Sequence, residues 1–256
     1  MFINEGSSIK ILDVANPKEL KLIGEYNPNS DYFNIISFLD IALSKDEKTL
    51  FAIDGNSLSI IDVSNPKKPK LLKKIDLKNV EKLYISNDGK RLYGLLNKLL
   101  SFNNVENGLV ILDITDKNNP VQKSKYPIDN TIIYNMAISK DNSIATLATL
   151  QGLIVLDVKN PNNIFEKGKY KSLIYDVAMA SNKKVFVIDS QKIAVSILDM
   201  TNPANPKEIN SIKDIGVPYK IFLSNDETKL FVATFDKNTN NTNTKIYIFD
   251  VSSYTK

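Results

Sequence analysis

The chain has no histidine, no cysteine and no tryptophan. Without imidazole there is no Ser-His-Asp triad, no histidine general base and no His-ligated zinc or haem. Without thiols there is no disulfide, no thiolate nucleophile and no iron–sulfur site, and the redox compartment leaves no mark on the composition. Arginine is reduced to Arg91, although Lys+Arg total 33 against 29 Asp+Glu, a net +4. Proteins that read nucleic acid rely on arginine forks for bases and phosphates, so nucleic acid is not expected as a partner. Long apolar runs are missing too. Stretches such as Leu153–Leu156 fall far short of the ~20 residues of a membrane-spanning helix. The first residues, MFINEGSSIK, show no basic segment followed by an apolar one, so the chain as given is not expected to target itself and reads either as cytoplasmic or as a mature or truncated form of something longer.

What remains is a chain of 256 residues, long enough to bury a sizeable core and near the upper end for one all-β domain. One phrase recurs six times: IKILDVANP at 9–17, LSIIDVSNP at 58–66, LVILDITDKNNP at 109–120, LIVLDVKNP at 153–161, VSILDMTNP at 195–203 and IYIFDVSSY at 246–254. Its aspartates, Asp13, Asp62, Asp113, Asp157, Asp199 and Asp250, are spaced by 49, 51, 44, 42 and 51 residues. That period is too long for leucine-rich, ankyrin or tetratricopeptide units and lies in the range of propeller blades.

Each unit reads as strands. The Ile/Val/Leu-rich run before the aspartate ends in a turn, usually Asn-Pro. A second strand follows, as in PKLLKKIDL at 69–77. A third precedes a polar turn, and a fourth follows that turn: SKDEKTL at 44–50, SNDGKRL at 86–92, SKDNSIA at 139–145, SNDETKL at 224–230 and a degenerate SNKKVF at 181–186. Ser, Asn and Asp bond their own backbone there, and Gly89 tolerates positive φ. No segment carries the i, i+3, i+4, i+7 stripe of a long amphipathic helix. Four antiparallel strands per repeat predict an all-β fold, a β-propeller of four-stranded blades. A two-sheet sandwich leaves the shared phrase at a near-constant period unexplained.

The phrase L-x-I-[LIV]-D-[VI]-x-N-P resembles the LVIVD-repeat proteins, a family of bacterial and archaeal β-propellers. Five copies fit closely, while Asp250 is followed by Val-Ser-Ser-Tyr without Asn-Pro. The resemblance implies a propeller with a frequent exported or cell-surface setting, and it implies no defined reaction. The turn at 86–93 also resembles that of lactonase-like propellers, although such a turn is structural in many propellers.

Six blades are expected, in one domain with units at about 1–30, 31–78, 79–129, 130–171, 172–214 and 215–256; five or seven blades in a longer parent also fit. Inner strands are expected to begin near Asp40, Lys82, Asn135, Asp176 and Lys220. MFINEG aligns with LFAIDG at 50–55, so the first blade should lack its inner strand and the last its outer one.

The six aspartates are expected to serve their turns, each accepting nearby backbone N–H groups, rather than to gather as catalytic or calcium carboxylates. More informative is the inner-strand position held by Asp40, Lys82, Asn135, Asp176 and Lys220, polar in every copy. It is expected at the mouth of the central channel, as a small polar binding site or simply a solvated rim. Tyr134, Tyr175 and Tyr219 sit beside it, with Tyr32 and Phe33 in the corresponding earlier loop; they can contact a partner or cap the blades. Two insertions, NKLLSFNNVENG at 97–108 and DKNTNNTNTK at 236–245, depart from the repeat. The first carries Leu99, Leu100 and Phe102, apolar residues that need burial or a partner. The lysine run Lys67, Lys68, Lys70, Lys73 and Lys74 reads as a solvated edge strand, where lysine blocks strand-to-strand aggregation.

These residues favour a non-enzymatic binding or scaffold propeller that offers a loop face to a protein or carbohydrate, with no cofactor. The alternative is a lactonase-type hydrolase in which Asp40, Asn135 and Asp176 hold calcium through oxygen ligands. Lys82 and Lys220 in the same row stand against a divalent cation.

Overall fold

The computed structural model describes residues 1–28, 36–97, 107–236 and 244–255. Two compact units divide the chain, Met1–Pro127 and Ile128–Lys256.

The first unit holds three antiparallel sheets in chain order. Blade 1 is β1 (Phe2–Asn4), β2 (Ile9–Asp13) and β3 (Lys21–Tyr26). Blade 2 is β4 (Asp40–Leu43), β5 (Thr49–Ile53), β6 (Ser57–Asp62) and β7 (Lys70–Asp76). Blade 3 is β8 (Val80–Ile85), β9 (Arg91–Leu96), β10 (Gly108–Asp113) and β11 (Val121–Pro127). The second unit repeats the plan. Blade 4 is β12 (Ile133–Ile138), β13 (Ile144–Thr149), β14 (Gly152–Asp157) and β15 (Phe165–Tyr170). Blade 5 is β16 (Ile174–Met179), β17 (Lys184–Asp189), β18 (Ala194–Asp199) and β19 (Lys207–Ile212). Blade 6 is β20 (Val217–Leu223), β21 (Lys229–Phe235) and β22 (Thr244–Asp250), followed by a single helical turn, α1 (Ser252–Thr255). Each sheet is an up-and-down meander, the strand order of a propeller blade. The chain has six blades of β-propeller type, three in each unit, and the first and last have three strands, as the sequence led one to expect.

Burial follows position in the blade. The third strands β6, β10, β14 and β18 are buried along both faces until the repeat aspartate. That explains why LxILD reads as a continuous apolar run instead of an alternating one. The fourth strands are the outer edges, and β7 with Lys70, Lys73 and Lys74 is exposed almost throughout, as edge protection requires. Apolar side chains form cores between neighbouring blades, for example Phe51, Ile60, Leu83 and Leu92 between blades 2 and 3. Val155, Val177, Val187 and Met200 do the same between blades 4 and 5. Each such side chain, fully buried, contributes about 1.5–3 kcal/mol.

All six repeat aspartates act on their turns. Asp13, Asp62, Asp113, Asp157, Asp199 and Asp250 each accept the backbone N–H two residues on, at 2.8–3.1 Å. The turns also bind neighbouring blades. Gly168 on β15 lies so close to the Asn-Pro turn of blade 5 that any Cβ would overlap the Pro203 carbonyl oxygen. Gly24 on β3 meets the Pro66 carbonyl in the same way, so glycine is needed wherever these backbones touch. Among the described residues, no helix is long and apolar enough to cross a membrane.

Candidate functional site

The first strands begin earlier than the sequence suggested. β8, β12, β16 and β20 start at Val80, Ile133, Ile174 and Val217, ahead of the polar residues expected to open them. A β-bulge is the reason. Val80 pairs with Leu96 and Lys82 with Leu95, which leaves Glu81 as the extra residue. Tyr134, Tyr175 and Tyr219 are the extra residues at the matching places in blades 4, 5 and 6. Bulges release side chains from strict alternation and re-aim them. The tyrosines and the polar residues after them are therefore parts of one device. Glu81, which the sequence did not single out, fills the tyrosine position in blade 3. Burial raises its carboxyl pKa against the opposing pull of an Asn97 hydrogen bond.

In the second unit the polar residues come together across three blades. Asp176 is 2% exposed. Its Oδ1 accepts the Asn135 side-chain amide from blade 4 and its own neighbour Val177 N–H at 2.9 Å. Its Oδ2 accepts the Ile221 N–H of blade 6 at 2.9 Å and faces the Lys220 ammonium at 3.2 Å. In the first unit, Asp40 Oδ2 accepts the Leu83 N–H of blade 3 at 2.8 Å. Asp40 and Asp176 thus do the same work: a carboxylate on one blade caps a backbone donor on the exposed side of the next blade's first strand. That strand is an edge, and its donors on that side have no ladder partner. A carboxylate supplies a charge-assisted bond to each.

This chemistry leaves little for a metal. Both oxygens of Asp176 already receive two donors each, one of them a lysine ammonium. Calcium needs several oxygens turned inward on one point. No group of three or more acidic residues is placed to hold a metal ion among the described residues.

The tyrosines have a different character. Tyr134 and Tyr175 stack with ring centroids 4.5 Å apart and an interplanar angle of 22°. Tyr219 stacks on Phe235 at 4.2 Å and 20°. Tyr134 and Tyr219 are half-buried, but Tyr175 is 45% exposed. Of the three, Tyr175 turns the most surface to solvent. Tyr32, Phe33, Leu99, Leu100 and Phe102 lie outside the described residues.

A second polar cluster between blades 4 and 5 went unnoticed in the sequence. Asp189, fully buried at the end of β17, accepts the Ser172 hydroxyl at 2.6 Å and the Lys192 N–H at 3.2 Å. The Lys192 ammonium in turn bonds the Tyr170 hydroxyl at 2.9 Å and the Glu208 carboxylate. The one available signal was the strand ending Ile-Asp shared by Asp54 and Asp189. Asp54 accepts the Ser57 hydroxyl and N–H at 2.8 and 2.7 Å, so both aspartates organise the turn that follows their strand.

The repeat model that matches this sequence is the LVIVD repeat, at residues 50–76, 104–127 and 147–172. Each match spans the buried third strand and the Asp turn whose bonds are described above. The chain is an LVIVD-repeat β-propeller. A search of curated proteins returns no match. Solved structures share the fold of this LVIVD-repeat propeller at low identity. A functionally unknown protein from Desulfotomaculum acetoxidans superposes with TM-score 0.72 and 16% identity, over 97% of this chain and 78% of that one. Hydrazine synthase from Kuenenia stuttgartiensis gives 0.74 and 14%, over 98% and 80%. The periplasmic gluconolactonase of Pseudomonas aeruginosa gives 0.68 and 9%, over 98% and 82%. At such identities the likeness concerns the fold alone.

Proposed function

We propose that this LVIVD-repeat propeller is a non-enzymatic binding module whose second unit offers a tyrosine ledge to a protein or carbohydrate partner. The observation that carries the reading is the Tyr134–Tyr175 stack. It is built by two bulges on neighbouring blades and leaves Tyr175 45% exposed. A ring held by stacking loses little entropy on contact and brings both an apolar face and a hydroxyl, which suits peptide or sugar recognition. In the polar row beside it, Asp40 and Asp176 are spent on backbone donors, and Asn135 and Lys220 are spent on Asp176. The insertion with Leu99, Leu100 and Phe102 adds a further candidate contact in the first unit.

The calcium-assisted lactonase has a fold precedent in the Pseudomonas gluconolactonase, but its ligand set would have to include Asp176, whose oxygens are occupied. A surface or periplasmic setting belongs to the same proposal. It rests on the family resemblance, and cell fractionation with an antibody to the native chain tests it.

The functional test screens the wild-type chain and Tyr175→Ala on a glycan array and against a displayed peptide library. Tyr175 is exposed, so the variant should fold normally. A ligand class retained by wild type and lost by Tyr175→Ala is expected. Binding that survives the substitution, or no ligand from either library, contradicts the reading.

A further inference from the structure

At the ends of the unit 2 strands opposite the tyrosines, blades 4 and 5 enclose a cavity of about 600 Å³. That volume is in the range of small-molecule sites. Its apolar lining is Ile144, Met179, Ala180, Met200 and Pro203.

The cavity sits where the repeat breaks. In blades 2, 3, 4 and 6 the turn between first and second strands starts with a serine whose hydroxyl donates to an aspartate two residues on, at 2.5–2.6 Å. The serine N–H closes that turn on the residue five positions later. In blade 5 the serine is replaced by Ala180, whose N–H bonds the Lys184 carbonyl four positions later. The turn is one residue shorter and has lost its hydroxyl–carboxylate pair. The residue after the repeat aspartate also changes. Val63, Ile114, Val158 and Val251 each bond the preceding turn through their N–H, and in blade 5 that residue is Met200. Two changes in one blade thus remove polar groups and bring in a polarizable, adaptable side chain, the kind that lines permissive binding surfaces.

Charge completes the description. Lys140, Lys167 and Lys183 stand on the wall. Lys167 is held by Asp157 at 2.8 Å, whereas Lys140 and Lys183 have no ion-pair partner among the described residues. The one acidic group of the lining, Asp141, is engaged by the hydroxyls of Ser139 and Ser143 at 2.6 and 2.8 Å.

We infer that this cavity binds an amphipathic monoanion, a carboxylate carried on an apolar body, with Lys140 and Lys183 at the headgroup and Met179, Met200 and Ile144 around the body. Lysine suits this role because its flexible stem keeps the ammonium at the rim while covering apolar surface. The site is separate from the tyrosine ledge and does not depend on it.

The chain has 4 methionines, and two of them, Met179 and Met200, line the cavity while Met136 does not. Methyl-¹³C-methionine NMR of the intact chain therefore reports occupancy and location together. Octanoate is the probe, with 1-octanol and octylammonium as neutral and cationic matches of the same chain length. Octanoate should shift the Met179 and Met200 methyls saturably, leave Met136 in place, and bind at least tenfold more tightly than either match. Lys140→Gln with Lys183→Gln, both exposed positions, should remove that tenfold preference while leaving the spectrum of the free protein unchanged. Equal response to octanoate and 1-octanol, a matching shift at Met136, indifference to the lysine substitutions, or no saturable shift would each overturn the assignment.

Discussion

The carboxylate of Asp176 accepts the backbone N–H of Ile221, 45 residues further along the chain, at 2.9 Å. A side chain on one blade thereby completes the hydrogen bonding of the next blade's edge strand. Asp40 and Leu83 make the same contact at 2.8 Å. Two copies at one repeat position explain the carboxylates found there, while the residues beyond it pack into the blade cores.

Removing the Asp176 carboxylate should be costly. Asp176→Ala leaves the Ile221 N–H and the Asn135 amide without their acceptor in a buried place, at a cost of about 2–4 kcal/mol. Asp176→Asn keeps one oxygen and should lose less. Urea unfolding of the three proteins checks this order, and an unchanged midpoint in Asp176→Ala would show that the Asp176–Ile221 bond contributes nothing to stability.

Crowding the blade contacts should also destabilise. Gly168→Ala drives a methyl group into the Pro203 carbonyl, and the required shift costs about 1–3 kcal/mol. Gly24→Ala should behave alike against Pro66. Full stability in both variants would mean that the close approach is relaxed in solution.

The repeat explains how much of this was legible. Six aspartates at a near-constant period announced blades, turns and local Asx bonding, because all of these are properties of a single unit. The bulges were hidden. Tyr134, Tyr175 and Tyr219 looked like loop residues before a strand, since a bulge is a mismatch between two strands and leaves no mark on one of them. Asp176 looked like a possible calcium ligand because its acceptors are engaged by residues 41 and 45 positions away. Met200 sits inside the repeated phrase VSILDMTNP with nothing to set it apart, and only its neighbours make it a cavity wall.

Acid should weaken the turns. The Thr201 hydroxyl and N–H hold the Asp199 carboxyl at a pKa of about 2. Hydrogen bonds from Ser64, Thr115 and Ser252 lower Asp62, Asp113 and Asp250 in the same direction. A carboxyl with a lower pKa folded than unfolded binds protons more tightly when unfolded. Its stabilisation is complete above the unfolded value near 4 and disappears as pH falls through the folded one. Asp250 is exposed and the other three are partly so, and each contribution is therefore small and screened by salt. Melting temperature measured from pH 6 to pH 2 should hold steady and then decline below about pH 4. A flat profile down to pH 2 would show that the turn bonds contribute nothing.

The Lys192 cluster should be structural as well. Lys192→Met removes the donor shared by Tyr170 and Glu208 and leaves Asp189 without its nearest cation. A loss of about 1–3 kcal/mol is expected, read by thermal unfolding, with the ledge around Tyr175 still intact by NMR. No loss of stability would mean that the cluster is a surface arrangement without energetic consequence.

The most direct test of whether the recurrent carboxylates serve the fold or hold a metal is a calcium titration of the purified chain followed by melting temperature, with magnesium as control. A cation that binds the native state must raise the transition by mass action. With Asp176 and Asp40 committed to backbone donors, no calcium-specific rise is predicted. A rise with calcium alone that disappears in Asp40→Ala or Asp176→Ala would contradict the account and return the lactonase reading to first place.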